Sequence, residues 1–197
     1  MRIHPALVLL SITAVAPHAW AQTAREPSRT AEIALSNDTL ELRYIDDARG
    51  IVDVPGAQAA GTFFLSEDRD IVLDGSLLFP ADLDLGPLSV LFGPRVYAAL
   101  LEEENNDVFA ASLGGELRMD LNSRSGLAVV GHAFYAPDIL TFGSADSLTD
   151  LSARVELRVA ARLTAFGGMR WFEFDLADGS GKRTLQEEVF VGFGYQL

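Results

Sequence analysis

The residues best suited to chemistry in this chain are charged side chains on one face of its predicted strands. Arg154, Arg158 and Arg162 recur at every fourth position, and Glu156 lies between the first two. In a pore, a row of guanidinium groups favours the passage of anions. The mixed signs favour a second interpretation, an interior closed by ion pairs. The set predicted to face the interior is Glu116, Arg118, Asp120, Arg154, Glu156, Arg158 and Arg162, and the same polar faces carry Glu41, Arg43, Asp74 and Arg95.

A histidine is the second candidate for chemistry. Apart from His4 and His18 near the N-terminus, His132 is the one histidine of the chain. A serine hydroxyl beside an imidazole is a nucleophile with its general base. The serines considered as its partner are Ser123, Ser125 and Ser144. No spacing motif supports such a pair, so we predict that His132 is a satisfied lumen or interface residue and that the protein is not an enzyme.

Composition excludes several other classes of function. The chain has no cysteine, which excludes disulfides, thiol catalysis and cysteine-based zinc sites. The acids at 102–104 are contiguous and lack the spaced ligands and glycine of a calcium-binding EF-hand loop. We therefore predict no metal and no cofactor. With 28 Asp and Glu against 15 Lys and Arg, the chain lacks the basic surface that nucleic acid binding requires.

The elements that carry the charged residues are predicted to be strands. Every odd position from Leu151 to Leu163 is apolar, and the even positions from Asp150 to Arg162 are polar or charged except Ala160. This period-2 alternation is typical of a strand with one apolar and one polar face. The segment exceeds the ~5–6 residues of an ordinary strand and reaches the ~9–11 that a tilted strand needs to cross a membrane.

Similar segments recur along the chain with turn residues between them, and no long helix is predicted. Apolar residues make up 49% of the chain, yet no 18-residue apolar run follows residue 21. Both features are typical of a transmembrane barrel, whose apolar positions alternate with polar ones. We predict an all-β, antiparallel, up-and-down transmembrane β-barrel of ten strands, or of eight if the first hairpin lies outside the wall. Residues 137–148 are predicted as a long loop and a tight turn is expected near residue 164.

The N-terminus is predicted to be a targeting segment. Arg2 and His4 precede an apolar run, and the Ala19-Trp20-Ala21 sequence is a small-x-small cleavage site. This order is typical of a cleaved secretory signal peptide. The predicted organisation is a signal peptide over 1–21, a flexible leader over 22–30 and a single barrel domain over 31–197.

Aromatic residues near the predicted strand ends suit the girdles at the two faces of a membrane. A packed interior would use the same residue types, so this alternative stays open. The aromatic residues concerned are Phe63, Phe64, Phe92, Tyr97, Phe172, Phe174, Phe193 and Tyr195.

The layout resembles the YfaZ family of outer-membrane proteins. The residues that carry the resemblance are the Ser36-Asn37-Asp38 hairpin, the Gly61-Thr62-Phe63-Phe64-Leu65 strand and the Val191-Gly192-Phe193-Gly194-Tyr195 strand. The C-terminus also resembles the assembly signal of outer-membrane barrels, in which Gly192, Phe193, Tyr195 and Leu197 would take part. The resemblance implies an outer-membrane barrel, sometimes described as porin-like, and it implies no reaction.

We therefore expect an exported protein of the cell outer membrane with a structural role or a narrow porin-like channel. Two alternatives remain, a periplasmic barrel that binds a small apolar ligand and a lipid-modifying barrel enzyme that uses His132. The expected partners are outer-membrane lipid and lipopolysaccharide, with the barrel assembly machinery and periplasmic chaperones during biogenesis. No nucleic acid partner is expected.

Overall fold

The computed structural model describes residues 29–81, 83, 86–102, 106–122, 124–177 and 181–197. The predicted signal peptide and nearly all of the predicted leader lie outside these residues. Eleven strands and two single-turn 3-10 helices, Ala48–Gly50 and Asp138–Leu140, make up the regular structure of the described chain. The strands are β1 Thr30–Leu35, β2 Thr39–Asp47, β3 Gln58–Ser66, β4 Ile71–Pro80, β5 Leu88–Leu101, β6 Asn106–Asn122, β7 Leu127–Ala136, β8 Thr141–Gly143, β9 Ala145–Ala160, β10 Leu163–Leu176 and β11 Gly181–Gln196.

The strands form a closed antiparallel barrel. Neighbours in sequence pair with each other, β9 pairs with β7, and β1 closes the ring by pairing with β11. Ten of the described strands form this ring. The remaining strand, β8, pairs with β6 beyond the end of β7. The predicted all-β, up-and-down barrel of ten strands is therefore confirmed, and the first hairpin belongs to its wall.

Side-chain alternation sets the two faces of the wall. On β9, Leu151, Val155 and Val159 point outward with 42%, 51% and 51% of their surface exposed. Their even-numbered neighbours Asp150 and Glu156 are buried in the barrel. The alternation that predicted this strand thus corresponds to an apolar outer face and a charged inner face.

The boundaries of β9 and β10 differ from the prediction. Strand β9 begins at Ala145, so the connection before it is shorter than the predicted loop over 137–148 and contains β8. The polar sequence at 144–147 was taken for a loop, but the side chain of Ser147 donates a hydrogen bond to Asp175 on β10 at 2.7 Å. The tight turn lies at 161–162 because Ala160 already pairs with Leu163.

The barrel interior has an apolar layer at the end far from the two termini. Phe172 is fully buried there, and its ring centroid lies 5.7 Å from that of Phe64 and 5.8 Å from that of Tyr97. Phe174 completes the aromatic group at 5.6 Å from Phe172. For these four aromatic residues the girdle interpretation is wrong, and the alternative left open by the sequence, a packed interior, is the one observed. They lie at inward positions of their strands, where they pack against each other instead of lipid.

A glycine of the last strand allows close packing at the other end of the barrel. A Cβ atom on Gly192 would lie 2.4 Å from the carbonyl oxygen of Ile33 and 2.4 Å from the ring of Phe166. Gly194 lies two residues further along the same face. A Cβ atom on Gly194 would lie 3.4 Å from its nearest neighbour, an atom of the Glu32 side chain. Gly192 therefore has a packing role on the interior side, whereas Phe193 and Tyr195 of the predicted assembly signal are exposed on the outer face.

We expect Gly192→Ala to destabilise the barrel by about 1–3 kcal/mol, because the added methyl group must displace backbone or a packed ring. Gly194→Ala is the matched control and should change stability little. Urea unfolding of the refolded protein in detergent would measure both variants. Equal losses in the two variants would show that close packing at Gly192 is not the cause.

Candidate functional site

A carboxylate in the middle of the lumen is the centre of a charged network. Asp150 is fully buried, and it accepts hydrogen bonds from two arginines. Arg170 approaches it with Nε at 2.8 Å and Nη2 at 2.9 Å, and Arg95 with Nη1 at 3.1 Å. The hydroxyl of Tyr97 donates to the same carboxylate at 3.0 Å, and His132 Nε2 lies 3.1 Å away. Asp150 on β9 therefore contacts side chains of its two wall neighbours, β7 and β10, and of β5, which is not its neighbour in the wall.

Buried charges are tolerated only when they are paired and hydrogen-bonded. Further acids pair with the two arginines around Asp150, although the contact of Arg95 with Asp74 is an ion pair without a hydrogen bond. Arg170 also donates to Glu41 on β2, and Arg95 lies 3.7 Å from Asp74 on β4. The faces of both guanidinium groups rest on aromatic rings, Arg170 on Phe172 at 4.6 Å and Arg95 on Phe134 at 4.1 Å. The contact between Arg170 and Phe172 connects the charged layer directly to the apolar layer.

A second group of ion pairs lies closer to the termini. Arg154 binds Glu32 through two hydrogen bonds of 2.9 Å each, a two-pronged geometry that is stronger than a single contact. Its Nε donates to Glu156 at 2.9 Å, and Arg118 reaches the other oxygen of Glu156 at 2.5 Å. These contacts join β9 to β1 and to β6, strands that are not neighbours in the wall. The lumen is therefore bridged here as well.

The structure brings part of the predicted interior set together. Glu116, Arg118, Arg154 and Glu156 make contacts across the lumen. Asp120 and Arg158 lie at the exposed rim near the termini. Arg162 lies in the exposed turn between β9 and β10, so it is not an interior residue. The three arginines consequently do not form a row of guanidinium groups in the lumen. Arg154 lies in the lumen, Arg158 at the rim and Arg162 in the turn.

Sequence reasoning missed three residues of the network. Asp150 was seen only as one polar position among several, and neither Arg170 nor Glu32 was singled out. The alternation itself carried a signal, because Arg170 is a lone charge between the apolar residues Met169 and Trp171. What the sequence does not show is which inward residues face each other across a closed barrel.

The partner of His132 differs from the serines considered in the sequence. Ser152 Oγ lies 3.1 Å from His132 Nδ1, while Nε2 faces Asp150. Ser123 lies outside the described residues. Ser125 lies in the connection before β7, and Ser144 lies in the connection before β9. A serine, a histidine and an aspartate in series match the hydrogen-bond order of a nucleophilic triad. The arrangement thus contains groups able to move a proton, but its surroundings must also admit a substrate.

The space beside this chain of hydrogen bonds is very small. A cavity of about 20 Å³ is lined by Ser152, His132, Arg43, Arg154 and Arg170, together with acids and a few apolar side chains. A cavity of this size holds about one water molecule, whereas sites for small organic ligands have roughly 300–1,000 Å³. An acyl or lipid substrate does not fit beside Ser152 in this conformation.

A second cavity, an acidic cleft, lies at the strand ends far from the termini. It has a volume of about 200 Å³, and its lining includes Asp38, Glu67, Asp68, Glu187 and Glu188. A hydrogen bond with Asp38, and its negative charge, raise the pKa of the Glu67 carboxyl. Within the described ranges, no three His, Asp or Glu side chains are grouped as a metal site would need.

None of the described helices is long and apolar enough to cross a membrane.

Two solved structures are similar to this fold. The fold is similar to the KdgM porin solved in complex with disordered oligogalacturonate, at 8% identity and a TM-score of 0.46 over 86% of this chain and 99% of that one. It is also similar to the outer membrane channel DcaP of Acinetobacter baumannii, at 10% identity and a TM-score of 0.39 over 84% of this chain and 62% of that one.

Sequence comparison gives the family. No curated protein matches the chain significantly. The family model described as YfaZ precursor matches residues 45–197. The match covers β3 to β11 and all but the first residues of the described barrel, and it agrees with the resemblance noted in the sequence. The chain therefore belongs to the YfaZ family.

Proposed function

We propose that this protein is an exported outer-membrane barrel that forms a narrow, porin-like channel with a closed resting state. The observation that carries the proposal is the filled lumen, in which an apolar layer lies above a layer of ion pairs. The proposal includes cleavage of the N-terminal signal peptide after Ala21. It also includes contact with lipopolysaccharide and outer-membrane lipid, after delivery by periplasmic chaperones and the barrel assembly machinery.

The outer face of the wall supports a membrane location. Large apolar side chains point outward from strands all around the ring, where a water-soluble protein would expose polar ones. A belt of this kind suits the apolar band, about 25 Å tall, of outer-membrane barrels. Representative members, from six of the strands, are Leu42, Leu73, Leu113, Val155, Met169 and Val191.

The two layers of the lumen oppose ions in different ways. The rings of the apolar layer around Phe172 offer no hydrogen bonds to an ion, and the Tyr97 hydroxyl is already bonded to Asp150. Hydrophobic constrictions of this kind close channels by excluding water. The charged layer around Asp150 is already neutralised by direct ion pairs, so an entering ion must displace an existing partner. A hydrated solute crosses only if both layers rearrange, and we therefore expect low conductance at rest.

Single-channel conductance in planar bilayers tests this proposal. We expect small, rare conductance steps for the wild-type protein and larger or more frequent steps for Phe172→Ala, which removes a ring from the apolar layer. The matched control is Phe142→Ala, since Phe142 is exposed on the outer face and stacks on Phe109 with centroids 6.3 Å apart. Only protein that migrates as a folded, heat-modifiable band enters the measurement.

The outcomes distinguish the candidate roles. If neither the wild-type protein nor Phe172→Ala conducts more than a protein-free bilayer, the channel is refuted and a purely structural role is supported. Recovery in the soluble periplasmic fraction without a heat-dependent band shift would support the periplasmic ligand-binding alternative. A change in membrane lipid composition on His132→Ala, with the barrel still folded, would favour the lipid-modifying enzyme over the channel.

A further inference from the structure

We propose that the small lumen cavity beside Arg43 is a binding site for one small monovalent anion, such as chloride. The site does not depend on whether the barrel conducts, since it requires only the resting structure. It lies between the ion pairs of Asp150 and those of Arg154, and its lining comes from β1, β2, β6, β7, β9, β10 and β11.

The first observation is a buried donor without an acceptor. Arg43 is 7% exposed, and its Nε–H has no hydrogen-bond partner among the described residues. Its Nη2 donates to Glu116 at 3.3 Å, the longest of the interior arginine hydrogen bonds named above. A buried donor left unpaired costs about 1–3 kcal/mol. Such groups in native proteins commonly mark a bound water or ion.

The second observation is the state of the other arginines at the cavity. All three nitrogens of Arg154 are bonded to Glu32 or Glu156. All three nitrogens of Arg170 are bonded to Asp150 or Glu41. Arg43 is therefore the guanidinium group whose charge is least neutralised by direct contact, and the missing partner belongs at its Nε.

The third observation is the charge and size of the space. Three guanidinium groups and two carboxylates, Glu41 and Glu116, line the cavity. The charges of Arg154 and Arg170 are neutralised by the acids that they contact, whereas Arg43 makes one hydrogen bond of 3.3 Å, to Glu116. The volume of about 20 Å³ admits one water-sized particle. Ala34, Val130 and Phe190 form an apolar part of the lining. The unpaired N–H donor of Arg43, the weak neutralisation of its charge and partial dehydration together favour a small, weakly hydrated anion over a neutral water.

The direct test uses bromide as the probe. Crystals of the detergent-solubilised full barrel, grown or soaked in bromide, would be measured at the bromine absorption edge. We expect an anomalous peak within hydrogen-bond distance of Arg43 Nε. Arg43→Met should abolish the peak, and Arg158→Met, which removes an exposed rim arginine, should retain it. A cavity that contains density without an anomalous signal holds water, and this result would overturn the proposal.

A solution measurement keeps the proposal testable if Arg43→Met does not fold. A ligand that binds only the folded state raises its stability. The wild-type barrel should therefore unfold at a higher temperature in chloride than in gluconate at the same ionic strength, and Arg158→Met should show the same shift. Identical midpoints in the two salts, for the wild-type protein, would overturn the anion site.

Discussion

Asparagine in place of Asp150 is expected to destabilise the barrel by about 3–5 kcal/mol, the largest effect of any single change considered. The substitution keeps the shape of the side chain but removes the negative charge on which Arg95 and Arg170 converge. Removal of one partner of a buried ion pair leaves an uncompensated charge, and this is the reason for the large loss. Tyr97 and His132 would also lose a charged hydrogen-bond partner.

Urea unfolding of refolded protein, followed by the shift between folded and unfolded gel bands, would measure the loss. The matched control is Asp146→Asn, the same change on the same strand, because Asp146 is exposed. The control should remain within about 0.5 kcal/mol of the wild-type protein, as surface substitutions usually do. Similar stabilities of Asp150→Asn and Asp146→Asn would refute the central role of Asp150.

A double variant separates charge from packing at this centre. Asp150→Asn combined with Arg170→Met removes an acid and the arginine that makes the most hydrogen bonds to it. We expect the double variant to lose less stability than the sum of the two single losses, because no unpaired Arg170 charge then remains. Additive losses would indicate that the two side chains contribute independently.

Val155→Arg is expected to produce the second-largest loss, about 2–4 kcal/mol, if the barrel spans a membrane. Val155 is 51% exposed at the centre of the apolar outer face of β9. Its neighbours across the two strand pairs are Val129 and Gly167. Neither neighbour offers a carboxylate, and an arginine placed here would therefore face the centre of the lipid.

The same change four residues later is the control for the lipid environment. Val159 has the same exposure, 51%, but lies close to the turn at 161–162. The penalty for arginine falls to about 0–1 kcal/mol near the membrane interface. Urea titration of both variants refolded into lipid vesicles would compare them. Equal penalties at Val155 and Val159 would contradict the expected depth dependence and hence the membrane placement of this strand.

The strands were predictable because alternation is a local property. Each inward or outward assignment on β9 follows from the chemistry of the two neighbouring residues, and the closed ring then follows from the number of such strands. The loop over 137–148 was less predictable. Its serine and aspartate residues are typical of turns, yet Ser147 extends β9 through a hydrogen bond with Asp175, a residue 28 positions away.

The aromatic residues show the limit of the same reasoning. Composition could not decide whether Phe64 and Phe172 face lipid or the interior, because both environments favour large apolar side chains. Their strand positions decide between the two, since both residues lie on the inward face once the register is known.

The sequence by itself indicated a barrel of ten or eight strands, the two faces of the wall, the family resemblance and the presence of charge in the interior. The structure decided for ten strands, because the first hairpin belongs to the wall. Only the tertiary structure decided that Asp150 is the centre of that charge. Its partners Arg95, Arg170 and His132 lie 55, 20 and 18 positions away along the chain. Closure of the ring and the register of each strand pair set their height and direction in the lumen. These quantities depend on all the strand pairs together, so no local pattern of residues specifies them.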